Sequence, residues 1–72
     1  MAKTIDARGF SCPQPVMMTL DGISATDNGE IVVLVDNEAA RENVIRAAAS
    51  QGWLATDIQS ENDEYRITMA KG

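Results

Sequence analysis

Asp6-Ala7-Arg8-Gly9-Phe10-Ser11-Cys12-Pro13-Gln14-Pro15 is the stretch on which the reading of this 72-residue chain turns. It leaves a short β-like segment, bends at Gly9 and enters a helix just after the chain's only cysteine. Proline is favoured at the first helical position, directly after the residue that caps the helix. With Pro13 in that position, Cys12 stands at the cap, where Ser, Thr, Asp or Asn is usual. A local rule broken in this way marks a functional site more often than a scaffold.

The first amides of a helix lack intrahelical acceptors, and the macrodipole adds partial positive charge there. Both effects favour an anion, so the Cys12 thiol is expected to ionise more readily than an ordinary one. Pro13 and Pro15 carry no N–H, which leaves Gln14 and Val16 as donors toward the sulfur, and the two rings stiffen the first turn. Gly9 supplies a backbone conformation that other residues resist. Arg8, four residues upstream, adds a second positive charge, and Asp6 reads as a loop-capping acceptor at the strand end. The chemistry implied is that of a nucleophilic thiolate. The competing reading makes Cys12 a small buried hydrophobe; the flanking Pro-x-Pro and the helix start weigh against it.

Asp6-x-Arg8-Gly9 followed by Cys12-Pro13-x-Pro15 resembles the signature of the TusA/SirA-like sulfur-carrier family. The Gln14-Pro15-Val16 continuation, Asp36-Asn37-Glu38-Ala39-Ala40-Arg41-Glu42-Asn43-Val44 and Glu64-Tyr65-Arg66-Ile67 are similar to the YedF-like branch of it. The resemblance spans essentially the whole chain. It implies an α+β two-layer sandwich, β-α-β-α-β-β, with a four-stranded mixed sheet and two helices on one face. It also implies a persulfide on Cys12, received from a donor protein such as a cysteine desulfurase or rhodanese and passed to an acceptor protein. In the YedF-like branch the domain often precedes a DsrE-like domain and is associated with selenium metabolism. One departure stands out: Thr19-Leu20-Asp21-Gly22 falls where many relatives carry basic residues, which bears on partner choice and not on the thiol.

Outward from that stretch, Thr4-Ile5-Asp6-Ala7 reads as a short strand beginning near Lys3, and Phe10 as a lid on the core, the alternative being an exposed Phe beside the thiol that helps partner docking. The spacing predicts a helix over 13–25, with Val16, Leu20 and Ile23 at i, i+4 and i+7 as its buried stripe. Met17 and Met18 cannot both lie on that stripe, so one belongs at its margin near the thiol. Gly22 weakens the helix by about 1 kcal/mol relative to alanine. Thr26-Asp27-Asn28-Gly29 is a turn. The run Ile31-Val32-Val33-Leu34-Val35 within Glu30–Val35 suits a central strand parallel to the first. Asp36 or Asn37 caps a second helix reaching about residue 51, with Ala40, Val44 and Ala47 or Ala48 on its apolar face and a Glu42–Arg46 pair outside. Gly52 stops that helix, and Trp53 plugs the end of the core. Strands over 53–58 and 64–69 form a hairpin across a polar turn at 59–63. Glu61, Asp63 and Glu64 read as its solvated tip.

Composition narrows the function classes. One domain over residues 1–72 is expected, either a whole protein or a module of a longer chain, and it is near the lower size limit for a self-sufficient core. A hydrophobic fraction of 44% makes it globular, and one Trp, one Tyr and one Phe make the core aliphatic. Eleven acidic against six basic residues give a net charge of −5. That argues against direct nucleic-acid binding, which needs a basic footprint, and against an anionic membrane. No signal-like segment is seen and one cysteine forms no internal disulfide, so the cytoplasm is the expected compartment. No histidine is present, which removes His-dependent triads and histidine metal sites, and no phosphate loop or dinucleotide motif appears. No cofactor and no metal are expected. A carrier fits better than a free-standing catalyst, because the thiolate has no visible acid/base partner. The alternatives are a selenium-handling or redox accessory domain using the same thiol, and a regulatory or interaction module in which Cys12 is inert.

Overall fold

The patterns of the sequence resolve into six elements: β1 (Lys3–Asp6), α1 (Gln14–Ser24), β2 (Glu30–Val35), α2 (Glu38–Ser50), β3 (Trp53–Glu61) and β4 (Glu64–Lys71). The computed structural model describes residues 3–10, 13–25 and 29–72. Ser11 and Cys12, and Thr26-Asp27-Asn28 of the expected turn, lie outside the described residues. The sheet runs in the order β1-β2-β4-β3, with β1 parallel to β2 and β4 antiparallel to both β2 and β3. Both helices cover the same face of this mixed sheet, α1 over β1 and β2, α2 over β4 and β3. This is the expected two-layer β-α-β-α-β-β sandwich.

β2 sits centrally because its residues are apolar on both faces. Ile31, Val33 and Val35 are fully buried toward the helices, where they join Val44, Ala48, Trp53, Ile67 and Met69 in one core. Val32 points the other way, buried between its register partners Thr4 and Thr68.

α1 is rotated by one residue from the expected stripe. Pro15, Thr19 and Gly22 are the buried positions, while Val16, Met18 and Ile23 are partly buried and flank them. Small residues at i, i+4 and i+7 let the helix lie close on β1: a Cβ on Gly22 would collide with Ile5 Cδ1. The buried Thr19 hydroxyl donates back to the Pro15 carbonyl at 2.9 Å, which satisfies its polar atom.

α2 follows expectation at its cap, where Asn37 Oδ1 accepts the Ala40 N–H at 2.7 Å, and on its apolar face, where Ala48 takes the last place after Ala40 and Val44. The Glu42–Arg46 pair does not form. Glu42 pairs instead with Arg41 at 3.3 Å, because that guanidinium is drawn over the Tyr65 ring, 5.2 Å from its centroid, and so lies between Glu38 and Glu42. Gly52 ends the helix with φ 82°, and Trp53 behind it is 1% exposed.

The hairpin is longer and its turn tighter than expected. β3 continues to Glu61, so Gln59, Ser60 and Glu61 pair with Arg66, Tyr65 and Glu64. The turn is Asn62-Asp63 alone, both at positive φ (53° and 65°), the arrangement whose twist suits a two-residue hairpin. Polar residues on an exposed edge strand look like a turn in sequence, which puts the expected end of β3 three residues early. A bulge between Ala55 and Asp57 interrupts the ladder, as is common on edge strands.

Candidate functional site

The carboxyl ends of β1 and β2 and the tip of the β3–β4 hairpin meet at one end of the sheet, since Val35 pairs with Tyr65. Beyond β1 the chain makes one further sheet-like bond, Ala7 N–H to the Leu34 carbonyl at 2.8 Å. Then the loop folds on itself. The Arg8 amide and Nε donate to Asp6 Oδ1 at 3.2 and 2.9 Å, and Nη2 donates to Oδ2 at 2.8 Å. Nη1 reaches across to Glu64 Oε1 at 3.2 Å. These hydrogen bonds from Arg8 hold the Asp6 carboxyl down at about 2. Asp6 first and Glu64 second raise the Arg8 guanidinium above its already high value.

Gly9 adopts φ 85°, and its N–H donates to Asp36 Oδ2 at 2.7 Å. Asp36 Oδ1 accepts in turn from the Asn37 side-chain amide at 3.2 Å. Thus Asp6, Arg8 and Gly9 are brought together, with Asp36 and Glu64 added from distant parts of the chain. The sequence reading missed both additions. Gly9 and Asp36 are 27 residues apart and Arg8 and Glu64 are 56 apart. Only the parallel pairing of β1 with β2 hints that Asp36 would meet the loop. The expectation for Arg8 is also modified: its guanidinium is engaged by two carboxylates, so its charge is largely offset where it stands.

At the other end of the loop, Pro13 is the N-cap of α1 and its carbonyl accepts the Met17 N–H at 3.1 Å. The helix therefore starts at Gln14, one residue later than expected, with Pro15 in its second position. The correction has a simple cause: Pro13 has φ −98° and ψ 16°, outside the helical range. Its ring offers no side-chain acceptor, and the first turn contains no acidic residue. Gln14 and Val16 are the residues of that turn whose N–H groups have no place in the intrahelical ladder. Cys12 precedes this cap and lies outside the described residues.

Two large apolar side chains, Phe10 before Pro13 in the sequence and Met17 on α1, are exposed. Phe10 is 46% exposed and Met17 is 55% exposed, while Met18 turns toward the core. Phe10 is therefore not a lid. It follows the left-handed Gly9 turn and stands out from a core already closed by Trp53 and the aliphatic strands. A cleft of about 260 Å³ lies at the hairpin tip, lined by residues that include Arg8, Leu34, Glu64, Tyr65 and Arg66. Among the described residues, no group of three His, Cys, Asp or Glu side chains is placed to hold a metal ion. Also among the described residues, no helix is long and apolar enough to cross a membrane.

Comparison with known proteins adds to this geometry. The family model described as sulfurtransferase TusA matches residues 3–71. An Archaeoglobus fulgidus protein named "putative sulfur carrier protein" is 29% identical over 68 residues, covering 93% of each chain. A Methanocaldococcus jannaschii protein of the same description is 30% identical over 70 residues, covering 96% of this chain and 93% of its own. An uncharacterised protein of the same archaeon is 31% identical over 71 residues, and this chain spans only 26% of its length. The crystal structure of a SirA-like protein from Desulfitobacterium hafniense superposes with a TM-score of 0.86 at 31% identity, covering 100% of this chain and 99% of that one. On a family match that runs from β1 to the end of β4, and a fold shared with a SirA-like structure, the chain belongs to the TusA family of sulfur carriers.

Proposed function

We propose that this protein carries sulfur as a persulfide on Cys12 and relays it between two partner proteins. The observation that carries the reading is the start of α1. The chain's single cysteine directly precedes an N-cap without a side-chain acceptor, on a first turn stiffened by Pro15 and free of carboxylates. Such a helix start favours an anion over a neutral thiol. In the step proposed, the Cys12 thiolate attacks the terminal sulfur of a donor persulfide. The donor's S–S bond breaks as the new one forms, the donor leaves as a thiolate, and the proton stays on the transferred sulfur. The second transfer repeats this with Cys12 as the leaving thiolate, so no external oxidant or reductant enters. Donors of cysteine desulfurase or rhodanese type supply such a persulfide, and the cytoplasm is a compartment in which the free thiol persists. The exposed Phe10 and Met17 offer apolar contact to a partner docking at this end.

The test is sulfur transfer from a loaded desulfurase to a thiol acceptor with this protein as the intermediary. Cys12→Ser is expected to keep the fold and abolish transfer. Transfer retained in that variant contradicts the proposal.

A further inference from the structure

We propose that β3 is an interface between two copies of this chain, which pair antiparallel along their β3 edges about a two-fold axis at Ile58. Such pairing goes beyond the carrier reading and does not depend on it. β3 is the outer strand of the sheet, with β4 on one side only. Every residue from Thr56 to Glu61 is exposed, and the N–H and C=O groups on the far side of an edge strand face no other strand. Ile58 is 42% exposed, an apolar side chain in a row of polar ones. Asp57 and Gln59 lie opposite Thr68 and Arg66, on the face without helices, while Ile58 lies opposite Ile67, on the helix face.

A two-fold axis normal to the sheet joins two such edges antiparallel and keeps each face continuous. Opposed residues must then share a face, which sets one residue directly opposite its own copy. Charge selects that residue, because like charges placed opposite each other destabilise a pair of strands. An axis at Asp57 sets that carboxylate against itself. An axis at Gln59 sets Asp57 against Glu61 twice, and one at Ser60 sets Asp57 against Asp63. With the axis at Ile58 no like charges meet. Ile58 then faces Ile58 of the second copy, and Asp57 faces Gln59 of the second copy on both sides of the axis. Those two groups already complement each other within one chain, where Gln59 Nε2 donates to Asp57 Oδ2 at 3.1 Å. Bulges and charges commonly guard an edge against pairing. Here the bulge between Ala55 and Asp57 falls at the end of the paired stretch, where Ser60 and Glu61 of the second copy meet the uncharged Thr56 and Ala55. The interface is small, so the dimer dissociates on dilution. The net charge of −5 on each copy opposes it, so added salt strengthens it. β1 lies at the far edge of the sheet, and the loop after it stays open to partner proteins.

Sedimentation equilibrium under reducing conditions, from micromolar to millimolar protein, is expected to show a monomer passing into a dimer. Gln59→Lys sets a cation against Asp57 of the second copy twice and is expected to tighten the dimer between about twofold and thirtyfold. Gln59→Glu is expected to loosen it. Ser60→Lys makes the same change in net charge without facing a carboxylate, so an equal tightening there would trace to net charge alone and overturn the pairing. The register is read by cross-linking Ile58→Cys and Ser60→Cys, each in a Cys12→Ser chain so that the introduced thiol is the only one. Residue 58 lies about 5 Å from its copy between Cα atoms, within disulfide reach. Residue 60 lies about 14 Å from its copy, four residues along the strand, and is out of reach. Ile58→Cys is therefore expected to form an intermolecular disulfide readily and Ser60→Cys is not. All three positions are exposed, so these variants keep the fold. Wild-type protein that stays monomeric at millimolar concentration, a dimer indifferent to the charge at residue 59, or equal cross-linking at the two positions overturns the proposal.

Discussion

Asp6 and Arg8 are two residues apart, and their paired hydrogen bonds at 2.8 and 2.9 Å shape the start of the loop after β1. Their effect on pH behaviour has a definite sign. Arg8 holds the Asp6 carboxyl down at about 2 in the folded protein, against an ordinary value of 3.8. A group depressed in this way adds stability that is complete above the unfolded pKa and is lost as pH falls through the folded one. The window for Asp6 is therefore pH 4 down to about 2. Because both partners are exposed, the gain is small. Carboxyl NMR titration is expected to place Asp6 near 2 in wild type and to move it up toward 3.8, without reaching it, in Arg8→Ala, where the residue-8 amide still donates to Oδ1; an unchanged midpoint in that variant contradicts the pairing. At this scale the local motif could be read from sequence, since Asp6, Arg8, Gly9 and the prolines lie within ten positions of one another. The ties to Asp36 and Glu64 could not, because they exist only once β1 has paired with β2 and the hairpin has folded over.

Gly22 shows how an element can follow its sequence pattern and still be turned. The apolar spacing Val16, Leu20, Ile23 predicts the face of α1 wrongly by one residue, because it weighs hydrophobicity above size, and the helix runs over 14–24 rather than 13–25. Close approach to β1 favours the small side of the helix, so Pro15, Thr19 and Gly22 face inward. Gly22→Ala is expected to destabilise the protein by about 1–2 kcal/mol through overpacking, although propensity alone predicts a gain of about 1 kcal/mol. Ile5→Val removes the Cδ1 atom that the new methyl would meet. The double variant is therefore expected to be more stable than the sum of the two single changes in urea titrations. Simple additivity would contradict the packing account. The hairpin differs from its sequence pattern for another reason. Gln59, Ser60 and Glu61 are polar because β3 is an exposed edge, and polarity alone does not distinguish an edge strand from a loop.

A chain of 72 residues has little stability in reserve. Trp53 is its largest fully buried side chain, and replacing a buried tryptophan by alanine costs about 3–5 kcal/mol. Total stability for a domain of this kind is on the order of 5–10 kcal/mol. Trp53→Ala is therefore expected to lose about a third or more of its resistance to urea, followed by far-UV circular dichroism; a near-wild-type midpoint would show that the core does not depend on this plug. The order of elements and the two-layer architecture were legible because each strand and helix carries its own period and stop signal. The function proposed for this fold rests on Cys12, the residue before the N-cap of α1. The most direct test is intact mass under non-reducing conditions after incubation with a cysteine desulfurase and cysteine, with Cys12→Ser alongside. The account predicts a gain of one sulfur atom that reductant removes and the variant never shows. Wild-type protein that gains no sulfur, with a Cys12 that alkylates no faster than an ordinary thiol, would contradict it.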